Sequence, residues 1–226
     1  MGRTFGPHNY VHDSYLDFSN LVTFWQDPND LVAIQQIVWD IKPKVIFDIG
    51  TNVGGSAIVY AHIMSAYVKP GEALIITVDP RHYSQNWDDT AKEKCPKCTP
   101  VSDNPLWSQY VQFVQAKSVD APAISALESA IKKYGGPVLL SVDGTHEYDG
   151  VLEELRKLHK YVTVGSYMIV QDTKLDRLWD RKAALQAARD FLKENEAAAG
   201  PKFIADRKRE VFRYSQHVEG FLLRVK

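Results

Sequence analysis

A chain of 226 residues with 45% hydrophobic content is long enough to bury one sizeable core and needs no second domain. Its formal net charge of -1, with 27 Lys and Arg against 28 Asp and Glu, leaves no basic stripe, so nucleic acid is excluded as an expected partner and a small molecule is favoured. No window approaches the ~20 apolar residues of a membrane span and the first residues lack the apolar centre of a signal peptide, so a soluble, cytoplasmic protein with no membrane partner is expected.

Residues 1 to 30 are polar and aromatic, with Tyr10, Tyr15, Phe18, Phe24 and Trp25 but little period. They are expected to form an extension that wraps the core, shapes an entrance or serves as an interface in a homo-oligomer. Leu31 to Ile41 reads as a helix that stops at Lys42-Pro43, because proline cannot continue it. Lys44 to Ser56 follows as KVIFDIGTNVGGS. Val45, Ile46, Phe47 and Ile49 form an apolar run broken only by Asp48, which suits a central parallel strand buried on both faces. Gly50, Gly54 and Gly55 then lead into a helix from Ser56 to Tyr67. Glycines at a strand-to-helix turn let the backbone approach a ligand, and the helix N-terminus offers free N–H groups to its anionic part. A dinucleotide fingerprint requires G-x-G-x-x-G, whereas this turn reads G-T-N-V-G-G, so a nicotinamide cofactor is disfavoured. A tight turn without a ligand is the plain alternative.

Lys69 to Glu72 is a turn before a second strand, Ala73 to Val78, that ends at Asp79. Arg81 to Ser108 is rich in Asp, Asn, Pro and Ser, lacks a period, and is expected to be a lid loop over the substrate. Within it lie the two cysteines, Cys95 and Cys98, too few for a disulfide framework. Half a zinc site, completed by His82 or by a second subunit, lacks its second ligand pair, and a redox pair would open a helix after a strand. Two loop thiols without a partner are therefore expected. Tyr110 to Gln115 reads as a third strand, Ala121 to Tyr134 as a helix and Val138 to Val142 as a fourth strand. Glu147 to His159 is a helix with Leu152, Leu155 and Leu158 on one face, and Ser166 to Gln171 is a fifth strand. The alternation predicts an α/β fold, a doubly wound, mostly parallel sheet in a single domain over residues 1 to 226. Glu196 to Gly200 reads as a loose helix end, and Phe203 to Ala205 with Phe212 to Val225 supply an antiparallel hairpin at the C-terminal edge.

Ligands of open α/β sheets bind beyond the carboxyl ends of the strands. Those ends here carry Asp48, Asp79, Asp143 and Gln171-Asp172. Taken singly, each acid is as well explained by a helix cap or a solvated strand end. As a set they make a site. Asp79, ending the second strand, is placed to hold a ribose diol. Asp143 and Asp172, from adjacent strands, converge with Gln171 beside them on an all-oxygen shell suited to Mg²⁺. His146, three residues beyond Asp143, is a candidate proton acceptor near pH 7, with a surface or capping histidine as the alternative.

The D-x-G-x-x-x-G-G-S turn resembles the first motif of S-adenosylmethionine-dependent methyltransferases. With FDIGTNVGGSA (47 to 57), VDPR (78 to 81), SVDGTHEYDGVLEELRKLHKYVTVGSYMIVQDT (141 to 173) and REVFRYSQHVEGFLLRV (209 to 225), the chain resembles the cephalosporin hydroxylase-like and rhamnosyl O-methyltransferase family from about Trp25 onward. The resemblance implies a class I, Rossmann-like methyltransferase with S-adenosylmethionine as donor and Mg²⁺ as cofactor. It implies a cofactor-binding set of Asp48, Gly50, Thr51, Asn52, Gly54, Ser56, Asp79 and Ser118. It also implies Asp143, Gln171 and Asp172 at the metal, with His146 and Asp143 catalytic. In related catechol-type enzymes the base position is lysine; here it is His146, and Gln171 stands where the family often has an acid. Hydroxylation would need a two-histidine, one-carboxylate iron site, for which the sequence offers no clear candidate. The expected function is methylation of a hydroxyl on a sugar or glycosylated natural product. The alternative is a regulatory protein that binds the cofactor without catalysis.

Overall fold

The computed structural model describes residues 27–212 and 214–226. All but the last four residues of the expected N-terminal extension lie outside them.

Helix α1 (Pro28–Ile41) opens with Pro28 after Asp27, whose carboxylate accepts the Asn29 N–H at 2.9 Å. It closes at Lys42, whose left-handed backbone (φ 50°) returns its N–H to Val38 O. The strands are β1 (Val45–Ile49), β2 (Leu74–Asp79), β3 (Val111–Gln115), β4 (Val138–Val142), β5 (Tyr167–Val170), β6 (Phe203–Ala205) and β7 (Phe221–Arg224). They form one seven-stranded sheet in the order β3-β2-β1-β4-β5-β7-β6. Strands β1 to β5 pair in parallel, and β7 runs antiparallel to both β5 and β6. The C-terminal edge is antiparallel as the sequence implies.

Alternation along β1 divides the core between the two sheet faces. Val45, Phe47 and Ile49 pack with Leu127 of α6 (Ala121–Tyr134), Leu152 and Leu155 of α7 (Tyr148–Leu158) and Phe191 of α9 (Ala184–Ala197). Ile46 faces the other way, with Ile34 and Ile37 of α1, Ile58 of α2 (Gly55–Ser65) and Tyr110 of α5 (Pro105–Tyr110). Full burial of such a side chain stabilises the fold by about 1.5–3 kcal/mol, which makes the sheet centre a rigid base for the loops at its carboxyl ends. The chain turns one way from β1 through β2 to β3 and the other way through β4 to β5, so the crevice at the switch point opens between β1 and β4.

Three expectations are corrected here. The segment 81–108 is a string of single turns, not an irregular loop: α3 (Tyr83–Asn86), a π-helical turn (Trp87–Ala91), α4 (Lys92–Lys94), a 3₁₀ turn (Val101–Asp103) and the start of α5. Each turn is too short to show a period, and what fixes them is the burial of Trp87, Val101 and Trp107. Cys95 and Cys98 are not partnerless thiols. The Cys98 N–H bonds Cys95 O at 3.0 Å, the turn brings the Cα atoms to 5.4 Å, and the two sulfurs join in a disulfide. Finally, β5 is followed by α8 (Leu175–Leu178) and by α9, neither read from the sequence beyond a loose helix end. The buried stripe of α9 is largely alanine (Ala184, Ala187, Ala188), with Leu185 and Phe191 as its large members, a weak apolar signal.

Candidate functional site

The glycine turn is shaped by two close approaches. At Gly50 (φ +91°) a Cβ would lie 2.0 Å from the backbone oxygen of Asp143, so only glycine lets the ends of β1 and β4 meet there. At Gly54 (φ +89°) a Cβ would lie 2.8–2.9 Å from side-chain atoms of Val101 and Trp107. Between them the Asn52 N–H (φ 48°) donates to Asp79 Oδ2 at 2.9 Å, while Asp79 Oδ1 accepts the Arg81 N–H at 2.8 Å. Asp79 thus ties β2 to the turn and stays part-exposed at its edge.

Asp48, Thr51 and Ser56 brace the turn from beneath. Asp48 Oδ2 accepts the Ser56 hydroxyl at 2.8 Å and the Thr77 hydroxyl at 2.9 Å, and Thr51 Oγ1 lies 2.8 Å from Thr77 Oγ1. Asp48 is fully buried and its Oδ1 has no hydrogen-bond partner among the described residues. Burial pushes its carboxyl up to about 6, against the opposing hydrogen bonds from Ser56 and Thr77. Ser118, after β3, is also buried, and its hydroxyl donates to Glu154 Oε1 at 2.6 Å. Sequence reasoning missed Glu154. Its signal was an acid on the stripe formed by Val151, Leu155 and Leu158, and burial pushes it up to about 7 while Ser118 opposes the shift.

Beyond β4 and β5 the structure gathers Asp143, His146 and Asp172, with one ligand atom from each lying within 4.8 Å of the others. His146 Nδ1 is 3.8 Å from Asp143 Oδ1. His146 and Asp172 both hold left-handed backbones (φ 53° each), a conformation that costs a non-glycine residue about 1–2 kcal/mol. Asp143 Oδ1 is shielded from water and has no hydrogen-bond partner among the described residues. Although the Asp143 side chain is part-exposed, desolvation of its shielded oxygen holds the carboxyl well above the usual carboxylate range, and repulsion from Asp172, Asp48 and Glu154 adds to it. A divalent cation fits this donor set: it supplies the partner that Asp143 Oδ1 lacks and offsets the repulsion between two carboxylates. Gln171 is buried beside Asp172, with its Nε2 donating to Ser141 Oγ at 2.8 Å. The Asp172 N–H donates to Nδ1 of His217 at 2.9 Å, a residue 45 positions away that no local pattern flags.

A parallel α/β sheet with an antiparallel β7, a glycine turn at the switch point and acids on the neighbouring strand ends define the class I, Rossmann-like methyltransferase fold. A family model described as Rhamnosyl O-methyltransferase/CmcI matches residues 13–225, and the chain belongs to that family. The rhamnosyl O-methyltransferase of Mycobacterium tuberculosis is 26% identical over 155 residues, covering 69% of this chain and 56% of that protein. The chain therefore spans about half the length of the curated relatives it matches. Among solved structures, CmcI with SAH superposes with a TM-score of 0.60 at 15% identity, covering 100% of this chain and 89% of that one. CmcI with Mg and SAM gives 0.57 at 15% identity, covering 91% and 75%. At such identities the likeness is one of fold. Among the described residues no helix is long and apolar enough to cross a membrane.

Proposed function

We propose that the protein is an S-adenosylmethionine-dependent O-methyltransferase, assisted by Mg²⁺, that acts on a hydroxyl of a sugar or glycosylated metabolite. The observation that carries this reading is the cluster of Asp143, His146 and Asp172 at the strand ends next to the glycine turn, with a shielded carboxylate oxygen that has no hydrogen-bond partner among the described residues. Family membership and the rhamnosyl name of the relatives support the sugar acceptor.

Bound S-adenosylmethionine supplies an electrophilic methyl on a sulfonium; transfer to the hydroxyl oxygen leaves a neutral thioether and releases one proton. The turn from Gly50 to Gly54 and the first amides of α2 receive the anionic end of the cofactor. Asp79 would accept from ribose hydroxyls through the lone pairs left beside its two backbone donors, and Ser118, its hydroxyl held by Glu154, would line the cofactor site without donating to it. Asp143 and Asp172, with Gln171 as a neutral neighbour, would hold the cation, whose contribution there would be to lower the pKa of the acceptor hydroxyl. His146, whose Nδ1 lies 3.8 Å from Asp143 Oδ1, would take the proton from the acceptor hydroxyl and so stays outside the cation's ligand set. Alignment of the two substrates contributes most of the rate.

The test is methyl transfer to a rhamnoside and other glycosides, followed for the wild type and His146→Ala. The variant is expected to lose on the order of 10²- to 10⁴-fold in turnover while calorimetry shows unchanged cofactor affinity. Equal turnover at saturating cofactor removes His146 from the mechanism. Cofactor binding without transfer to any hydroxyl points to the non-catalytic alternative.

A further inference from the structure

We infer that His217 is a positioning residue for the cation site, acting through the backbone of Asp172; the inference rests on the metal reading above. Asp172 follows β5 in a left-handed conformation (φ 53°) with both backbone groups committed. Its carbonyl accepts the Leu175 N–H at 2.9 Å, opening α8, and its N–H donates to His217 Nδ1 at 2.9 Å. A backbone N–H can only donate, so Nδ1 accepts it through its lone pair. Aspartate has no intrinsic preference strong enough to hold this conformation, and surrounding contacts must impose it. His217 is the contact on the N–H side.

The histidine is itself held firmly. It is fully buried, and its ring stands edge-on to Phe221 with centroids 6.1 Å apart. Its N–H donates to Ser215 Oγ at 2.9 Å, and that hydroxyl donates to Asp30 Oδ1 at 2.6 Å. The other Asp30 oxygen accepts the Gln216 N–H at 2.7 Å, so α1 anchors the turn that carries the imidazole. From this anchor the turn grips the residues after Asp172: Thr173 Oγ1 donates to Val218 O at 2.7 Å and the Lys174 N–H to Gln216 O at 3.1 Å. Gly220 seats the turn on β5, since a Cβ there would lie 2.1 Å from Val170 O. Three of these links, to Asp172, Thr173 and Lys174, hold the segment that aims one carboxylate at the Asp143 and His146 groups. Groups that orient metal ligands from behind typically matter about 10- to 100-fold in metal affinity.

The test uses two conservative variants and Mn²⁺ as the probe. In His217→Asn the amide oxygen sits where Nδ1 lies; in His217→Gln it sits one bond further out, where Nε2 lies. Mn²⁺ is titrated calorimetrically into the protein saturated with S-adenosylhomocysteine, whose own affinity is measured in parallel. His217→Gln is expected to weaken Mn²⁺ binding about 10- to 100-fold with cofactor affinity unchanged, and His217→Asn to bind Mn²⁺ nearly as the wild type does. The inference is overturned if both variants match the wild type, if Gln is tolerated better than Asn, or if metal and cofactor affinities fall together or the variants fail to fold, which marks a purely structural histidine. A wild type that binds no Mn²⁺ overturns the metal reading itself, and the inference with it.

Discussion

Glu154 is 5% exposed, with one oxygen on Ser118 and the other without a hydrogen-bond partner among the described residues, and burial raises its carboxyl from the ordinary 4.5 to about 7. Because the folded value lies above the unfolded one, the native state binds more protons than the unfolded chain between those two pH values. Stability from this group is therefore fully present below pH 4.5, falls as pH rises to 7, and stays low above it. At about 1.4 kcal/mol per pH unit, the loss across the window is roughly 3 kcal/mol. Glu154→Gln keeps an acceptor for Ser118 and removes the titration, while Asp48 remains in both proteins and cancels in the difference. The stability gap between variant and wild type should thus shift in favour of the variant by about 2–3 kcal/mol between pH 5 and pH 8. Urea unfolding at the two pH values measures it; a gap independent of pH sinks the assignment. Residue by residue, the sequence exposed the acids that end apolar runs, because Asp48, Asp79, Asp143 and Asp172 each interrupt a buried-strand pattern. It could not separate their depth: Asp48 closes a polar layer under the turn while Asp79 stays at its edge. Glu154 and His217 escaped because one is masked by an apolar helix face and the other acts on a residue 45 positions away.

At the scale of elements, the turn between β1 and α2 meets two kinds of neighbour. A Cβ at Gly50 would press backbone against backbone, on the Asp143 carbonyl at 2.0 Å, and neither strand can move without breaking the sheet. A Cβ at Gly54 would press on the side chains of Val101 and Trp107, which belong to the short turns after β2 and can give way. Both alanines also carry the positive-φ penalty of about 1–2 kcal/mol. Gly50→Ala is expected to destabilise by more than about 4 kcal/mol, and Gly54→Ala by about 2–3 kcal/mol; thermal unfolding of the two variants gives the order, and a milder Gly50→Ala refutes the close approach. The strands were readable because five-residue apolar runs between Gly, Pro and Asp have few other readings. The segment 81–108 was not, since its one-turn helices are fixed by tertiary burial and by a disulfide that closes a turn only three residues apart. Count and spacing of cysteines exclude a framework but say nothing about a local clasp.

Across the whole molecule, the βαβ alternation was enough to place the switch point, and the switch point brings the donor turn on β1 against the acid-bearing end of β4. At that junction Asp48 and Asp143 each have a buried carboxylate oxygen with no hydrogen-bond partner among the described residues. Ligands that bind only the folded state then add stability by mass action, about 2.7 kcal/mol at one hundred times the dissociation constant. For a chain of 226 residues this corresponds to roughly 5–10 °C in Tm. S-adenosylhomocysteine alone should give such a rise, and Mg²⁺ added to that complex a further one, because the cation supplies the missing partner of Asp143. In Asp172→Asn the first rise should remain and the second should largely vanish, since the substitution touches β5 and leaves the turn on β1 intact. A variant that keeps both rises places the cation elsewhere, and one that loses both shows that the two sites fold as a single unit rather than as neighbours joined at the switch point.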